Sequence, residues 1–269
     1  MQEVLFKQTP ALSFLTDSPT LNYALGGKGI MVGNLVVIQA PTGDGKTTMM
    51  MRLAINAAEQ GQKVAYISLG EQDITELTIR FACMITENKY LGSYEELYKK
   101  EEMEMISKAT TYEAFKNIDI FYDEHLKNAT FDKIIEDGYK FIFIDYLGCL
   151  LGPDKDSQYQ YLTDVASYLK NLATDKDICI ITAMQTNRNL LTALREPNFD
   201  PLSIDETFMA DSIGPARKAT ICISTFRKGD DRYLVLFKNR FNGEKVSEKI
   251  SVDYKSYKWT EIMDTKLGF

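Results

Sequence analysis

The stretch Leu35 to Thr48, L-V-V-I-Q-A-P-T-G-D-G-K-T-T, carries the densest chemical signal in this chain. It reads as a buried strand, a tight glycine turn and a helix start. Such a turn aims backbone N–H groups at an anion, and the helix dipole reinforces them. The spacing follows the phosphate-binding pattern G-x-x-x-x-G-K-[ST], with Ala40 in place of the first glycine. Ala40, Pro41, Thr42, Gly43, Asp44, Gly45, Lys46, Thr47 and Thr48 are therefore the expected cradle for the phosphates of a nucleotide. The N–H groups from Gly43 onward would wrap the β- and γ-phosphates. Lys46 would add a cation, and the Thr47 hydroxyl would hold Mg²⁺. A chance glycine-rich turn explains this poorly, because Lys-Thr follows the second glycine and apolar residues flank both sides.

Further segments gain meaning from the first. F-I-F-I-D-Y, Phe141 to Tyr146, is an apolar strand ending in a carboxylate. Strand ends of this kind face ligands in open α/β folds, so Asp145 is expected to complete the Mg²⁺ site. Y-I-S-L-G-E-Q, Tyr66 to Gln72, places Glu71 after the next strand, where a carboxylate can activate water. On that segment alone, an acid stabilising a helix N-terminus fits equally well. Gln185 ends another apolar run, I-I-T-A-M-Q, and is a candidate sensor of the γ-phosphate. Lys238 and Arg240 occupy alternate positions before an Asn242-Gly243 turn, so in a strand they share one face and call for an anion. Solvated surface charges are the plain alternative for that pair.

Composition sets the bounds. The chain has 269 residues with 45% hydrophobic and 26% charged, which suits a globular α/β protein. No apolar run is long enough to span a membrane, and the first ten residues lack a signal-peptide core. The expectation is a cytoplasmic protein, in the host cytoplasm if viral. A net charge of -7 argues against strong non-specific duplex binding by a monomer, although a local groove can still be basic. Cys83, Cys149, Cys179 and Cys222 lack short paired spacing and read as small hydrophobes in a reducing compartment. His125, the single histidine, makes a structural zinc site a poor reading and is expected in a loop.

Residues 1–16 carry Pro10 and mixed polarity and read as a linker or arm, with the domain proper at 17–269. Strands are expected at Leu35–Ala40, Val64–Leu69, Ile118–Tyr122, Phe141–Tyr146 and Ile178–Met184. Helices are expected at Thr47–Gln60, Ile74–Thr86 and Phe131–Asp137, around Tyr161 to Leu172, and in the charged region Glu95–Lys116. Continuous apolar strands suit a parallel sheet covered on both faces. A long loop from Thr186 to Lys218 follows, and loops of that length usually carry function. Thr220–Phe226, Tyr233–Lys238 and Val246–Val252 then read as antiparallel strands. The aromatic end, Tyr254 to Trp259, reads as strand packing in preference to a base-stacking patch. The run Lys99 to Lys108 reads as a solvated helix face.

These segments, in this order, resemble the ATPase domain of DnaB-type replicative helicases, ring motors with a RecA-like core. Ile144 to Leu147 match the family's I-D-Y-L. Ser68, Leu69 and Glu71 match its S-L-E, with Gly70 inserted. Met184 to Arg188 correspond to its S-Q-x-N-R strand end, with Met184 in place of Ser, and the Q-T-N-R form looks most like the bacteriophage replicative helicases. Lys238, Arg240 and Asn242-Gly243 match its K-x-R before an N-G turn. The resemblance implies an α/β, RecA-like P-loop domain with a mostly parallel sheet and an antiparallel C-terminal hairpin. It implies ATP and Mg²⁺ as cofactors, Glu71 as the base, and Arg80 as a further nucleotide contact. It implies that Lys238 and Arg240 reach the γ-phosphate on a neighbouring subunit of a homo-hexamer. Single-stranded DNA would meet Lys155 in one loop and Ser212, Gly214, Arg217 and Lys218 in another. A primase or helicase loader is the implied protein partner. The implied activity is ATP-driven DNA unwinding. Its rivals are a RecA/RadA-type recombinase, a KaiC-like ATPase, or a loader or scaffold that binds ATP without unwinding.

Overall fold

The computed structural model describes residues 11–88, 96–150 and 158–262. The chain enters through β1 (Ser13–Phe14), α1 (Pro19–Ala24) and β2 (Ile30–Met31). It continues through β3 (Leu35–Ala40), α2 (Lys46–Glu59), β4 (Val64–Ser68), α3 (Ile74–Ile85), α4 (Glu96–Ala109) and α5 (Glu113–Lys116). Next come β5 (Ile118–Tyr122), α6 (Asn128–Glu136), β6 (Phe141–Asp145), α7 (Gln158–Asp175) and β7 (Cys179–Gln185). Last are α8 (Arg188–Ala193), α9 (Gly214–Lys218), β8 (Ile221–Lys228), β9 (Asp231–Asn239), β10 (Val246–Val252) and β11 (Trp259–Glu261).

Nine strands form one sheet in the order β11-β10-β9-β8-β3-β7-β6-β4-β5. From β8 to β5 the neighbours run parallel, and β9, β10 and β11 add antiparallel strands at one edge. Every residue of β3, β4 and β6 is buried, as their unbroken apolar runs require of a sheet covered on both faces. The strand period of two splits the core into two layers. Val36, Ile38, Tyr66 and Phe143 pack beneath Met50, Leu53 and Phe81 of α2 and α3. Leu35, Val37, Ile67 and Ile142 pack beneath Phe131, Leu162, Leu169 and Ala216 of α6, α7 and α9. The central strand β3 thus delivers the phosphate loop to the carboxyl edge of the sheet.

Three expectations change. Residues 13–16, assigned to the arm, pair and pack with the domain: β1 joins β2, and the buried Phe14 ring meets Phe141 edge-on at 5.2 Å. The loop from Thr186 to Lys218 contains α8 and α9, because Asn187 caps α8 by accepting from the Asn189 N–H at 3.0 Å. The charged region Glu95–Lys116 is two helices, α4 and α5, separated by a turn at Thr110–Thr111.

A buried ion pair ties the chain's start to α2. Arg52 is 1% exposed and donates to both Asp17 oxygens, at 2.7 and 3.1 Å, while Asn56 donates to Asp17 Oδ1 at 2.7 Å. Arg52 also reaches the more exposed Glu59 carboxylate at 3.1 Å, so removing Arg52 unpairs two acids while removing Asp17 leaves Arg52 one partner. A buried carboxylate elsewhere has no such partner among the described residues. Glu248 on β10 accepts from the Ser18 hydroxyl, while its Oε2 is buried without a donor. Burial, with the nearby Glu261 carboxylate, pushes its pKa up to about 7. The folded state therefore binds this proton more tightly than the unfolded chain. Glu248 then costs no stability below the ordinary carboxylate range, and the cost grows as pH rises to about 7 and stays above it. Glu248→Gln should match wild type near pH 4.5 and exceed it at pH 8 by on the order of 1–3 kcal/mol. Urea melts at the two pH values check this, and a pH-independent difference would contradict it.

Candidate active site

Helix α2 starts at Lys46, behind Gly45 in the left-handed region at φ 84°, and no side chain caps it. Gly43 also has a positive φ, 81°. Only glycine takes such angles freely, so the two let the loop turn over the helix end. The N–H groups of the first helical turn have no intrahelical acceptor and point where an anion would sit. An uncapped N-terminus framed by two left-handed glycines fits a phosphate chain.

The other edge residues converge on it. The Thr47 hydroxyl lies 3.3 Å from Asp145 Oδ1, as the sequence spacing requires. The Tyr66 hydroxyl donates to Asp145 Oδ2 at 2.8 Å. Burial pushes the Asp145 carboxyl above the usual range, against the two hydroxyl donors and the charges of Lys46 and Arg80. No cluster of three His, Cys, Asp or Glu able to hold a metal occurs among the described residues. One carboxylate and one hydroxyl suit Mg²⁺, which keeps waters and takes its other ligands from phosphates.

Tyr146, which follows Asp145, organises the interior of the site. Lys46 Nζ sits 3.8 Å from its ring centroid, a cation over an aromatic face. The Gln185 amide donates to its hydroxyl at 3.1 Å. Gly148 is required beside it, because a Cβ there would lie 2.6 Å from the ring. The charge of Glu71 reaches Tyr146 and Cys149, though burial is the larger cause of their raised pKa values. Glu71 itself is exposed at the bend after β4. Arg80 spans from Gln72 Oε1, at 2.7 Å, to Thr48 Oγ1, at 3.2 Å. Lys46, Thr47, Thr48, Glu71, Arg80, Asp145 and Gln185 thus share one edge.

The β8–β9 hairpin brings cations that sequence reading missed. Arg232 donates to the Asp44 carbonyl at 2.7 Å, and Arg227 Nε lies 3.8 Å from the Asp44 carboxylate. Beside the loop lies a cavity of about 210 Å³, lined by Gly43, Gly45, Thr48, Arg232, Tyr254 and Tyr257 among others. The aromatic end, expected as strand packing, therefore also faces the phosphate loop. Tyr66 and Tyr146 lie within the quoted segments but received no role from the sequence, since their contacts to Asp145 and Lys46 come from distant positions.

Other expected residues lie elsewhere. Lys238 pairs with Cys222 and the Arg240 N–H with the Thr220 carbonyl, at the amino ends of β8 and β3. That is the opposite edge of the sheet from the phosphate loop, about 15 Å along the strands. Arg217 and Lys218 are exposed there. Ser212 and Gly214, expected to meet DNA, are buried against α7 and present no surface to a strand. Ser212 Oγ lies 3.2 Å from the Tyr159 carbonyl, and Gly214 abuts Thr163. Their smallness serves this close packing. Lys155 lies outside the described residues.

Fold and site together define a RecA-like phosphate-loop domain. The chain belongs to the DnaB-like helicase C-terminal domain family, whose model matches residues 16–202. It is 29% identical over 193 residues to a probable plasmid replicative DNA helicase of Chlamydia trachomatis, covering 66% of this chain and 41% of that protein. It is 35% identical over 97 residues to the DNA repair protein RadA of Campylobacter jejuni, covering 33% and 21%. The chain thus spans less than half the length of these relatives. Its fold matches the solved ATPase domain of a phage helicase with a TM-score of 0.75 at 18% identity, over 97% of this chain and 95% of that one. No helix among the described residues is long and apolar enough to cross a membrane.

Tyr66→Phe removes a hydroxyl donor from Asp145 and should raise its pKa further. Mg²⁺-dependent nucleotide affinity should then fall off at a correspondingly higher pH, with little change at pH 8.5. Binding titrations from pH 5 to 8.5 check this, and an unmoved acid limb would contradict it.

Proposed function

We propose that this chain is the motor domain of an ATP-dependent DNA helicase that works as a homo-oligomeric ring, a hexamer by resemblance. The observation that carries this reading is the separation of its cations. Lys238 and Arg240 lie at the sheet edge opposite the phosphate loop, so one chain cannot bring both to one nucleotide. A second copy can. ATP is then bound at a boundary, with the phosphate loop on one side and these cations on the other.

In this reading Lys46 leaves the Tyr146 ring for the β- and γ-phosphates, and the orphan N–H groups of α2 hold their oxygens. Thr47 and Asp145 would hold Mg²⁺, which when bound would supply neutralisation of phosphate charge. Arg80 and Arg232 brace the loop, and the cavity at Tyr254 takes the nucleoside. Glu71 orients and deprotonates the attacking water, and its exposure leaves it free to do so. Gln185 registers the γ-phosphate in this reading, a role supported by its hydrogen bond to the Tyr146 hydroxyl beside Lys46. Beyond it, the Ala210 N–H bonds the Gln185 carbonyl at 2.8 Å, which links that strand to the segment leading into α9. Arg217 and Lys218 supply phosphate contacts to single-stranded DNA, a few per subunit summed over the ring. A primase or loader is the protein partner expected of such a motor.

The RadA match supports a second reading, a recombination or repair ATPase on the same core, and strand displacement on a forked duplex separates the two. The shared-site claim is tested by mixing. Arg240→Ala should bind nucleotide and lose on the order of 10³-fold in hydrolysis. Lys46→Ala should be inactive. Mixed rings contain interfaces with both sides intact and should recover part of the ATPase. No recovery, with mixed oligomers seen by native mass spectrometry, would contradict action across the boundary.

A further inference from the structure

Helix α9 ends with two backbone carbonyls that the helix cannot satisfy. The Thr220 N–H, which would continue the helix onto Ala216, instead bonds Leu35 at 2.9 Å, because β8 starts there. Side chains take over. Lys238 Nζ donates to the Ala216 carbonyl at 2.5 Å and to the Arg217 carbonyl at 3.0 Å. Arg240 Nη2 donates to the Arg217 carbonyl at 2.6 Å. Both cations of the far edge are therefore committed, within their own chain, to the end of the helix that carries Arg217 and Lys218.

This cap is built from charged donors and neutral acceptors. Among the described residues, neither Lys238 nor Arg240 forms an ion pair, and neither do Lys170, Arg217 or Lys218. Lys170 donates to the Gly33 carbonyl at 3.0 Å, close enough to Arg240 to feel its charge. Lys170, Lys238 and Arg240 thus crowd one edge of a chain of net charge -7, with Glu206 the acidic group whose charge reaches Lys238, and the exposed Arg217 and Lys218 follow on α9. Charge-assisted hydrogen bonds to a phosphate are about twice as strong as those to neutral acceptors. A phosphate brought to this edge would outcompete the carbonyls and relieve the repulsion. The other end of α9 is held by neutral bonds, from the Gly214 N–H to Ser212 Oγ and from Ser212 Oγ to the Tyr159 carbonyl on α7, together with the burial of Gly214, Pro215 and Ala216.

We propose that Lys238 and Arg240 are a latch between nucleotide state and DNA grip. With no triphosphate beside them they cap α9 and keep it retracted against α7. A triphosphate on the adjoining subunit draws them off the Ala216 and Arg217 carbonyls, and α9 is freed to carry Arg217 and Lys218 to the strand. This rests on the reading of the pair as cations that act across a subunit boundary. It adds that the same groups cannot serve both acceptors at once.

The test is hydrogen exchange of the 214–219 amides and binding of a fluorescent oligonucleotide, on the whole chain without nucleotide, with ADP, and with Mg²⁺ and a non-hydrolysable ATP analogue. In the wild type the analogue should speed exchange in α9 on the order of tenfold over ADP, the effect of losing hydrogen bonds to a charged donor. Lys238→Met should exchange fast without nucleotide and bind the oligonucleotide several-fold more tightly. Lys238→Arg, which keeps the donors, should restore protection, and matched thermal melts exclude a misfolded variant. Slow exchange in Lys238→Met would overturn the latch. Fast exchange there, with no response of the wild type to the analogue, would make the cap merely structural and overturn it equally. The Lys238→Met arm needs no nucleotide or neighbour, so it fails or succeeds independently of the mixed-ring ATPase.

Discussion

Everything at the candidate site depends on a helix that begins without a cap. A side chain can meet the first-turn N–H groups of a helix, as Ser18 does for α1, Asp73 for α3 and Asn187 for α8. Helix α2 has only Gly45, in the left-handed region. The fold tolerates this because α2 is the most enclosed helix of its layer and buries nearly every residue from Met49 to Ala58. Packing holds the helix, and its end is left as a standing demand for negative charge. Lys46 over the Tyr146 ring and Arg232 on the Asp44 carbonyl add to that demand.

The sheet decides what can meet it. Parallel strands put Asp145, Gln185 and the bend at Glu71 on the same edge as the phosphate loop, since their registers keep the carboxyl ends of β3, β4, β6 and β7 level. The antiparallel return of β9 does the opposite to its far half. Its start, Arg232, reaches the loop, and its end, Lys238 with Arg240 beyond it, reaches the other edge. One hairpin strand therefore serves two boundaries. A site completed by a second copy follows from this strand direction and needs no special motion within the chain.

Much of this was legible because the signals were local. Fully buried strands announce themselves as V-V-I or F-I-F-I, and Lys46, Thr47 and Asp145 sit at turn or strand-end positions that few other roles explain. What could not be read depends on partners far along the chain. Arg232 meets Asp44 across 188 positions, and Tyr66 meets Asp145 across 79. Helix α1 and the β1–β2 pair are short and weakly patterned, and their stability comes from Phe14 on Phe141 and from the Asp17–Arg52 pair. Ser212 and Gly214 misled because small polar residues in a long loop suit both a DNA contact and a tight helix junction. The structure uses them for the junction.

The central claim is that one triphosphate is gripped by the uncapped helix of one chain and the far-edge cations of another. Cryo-electron microscopy of the chain with Mg²⁺, a non-hydrolysable ATP analogue and single-stranded DNA tests it most directly. The account predicts phosphates against the α2 N-terminus and Lys46, with Lys238 and Arg240 of the adjoining copy within hydrogen-bond distance of the terminal phosphate. A nucleotide enclosed by one chain alone, its terminal phosphate met by Arg227 and Arg232 while Lys238 and Arg240 of every copy stay on the α9 carbonyls, would contradict it.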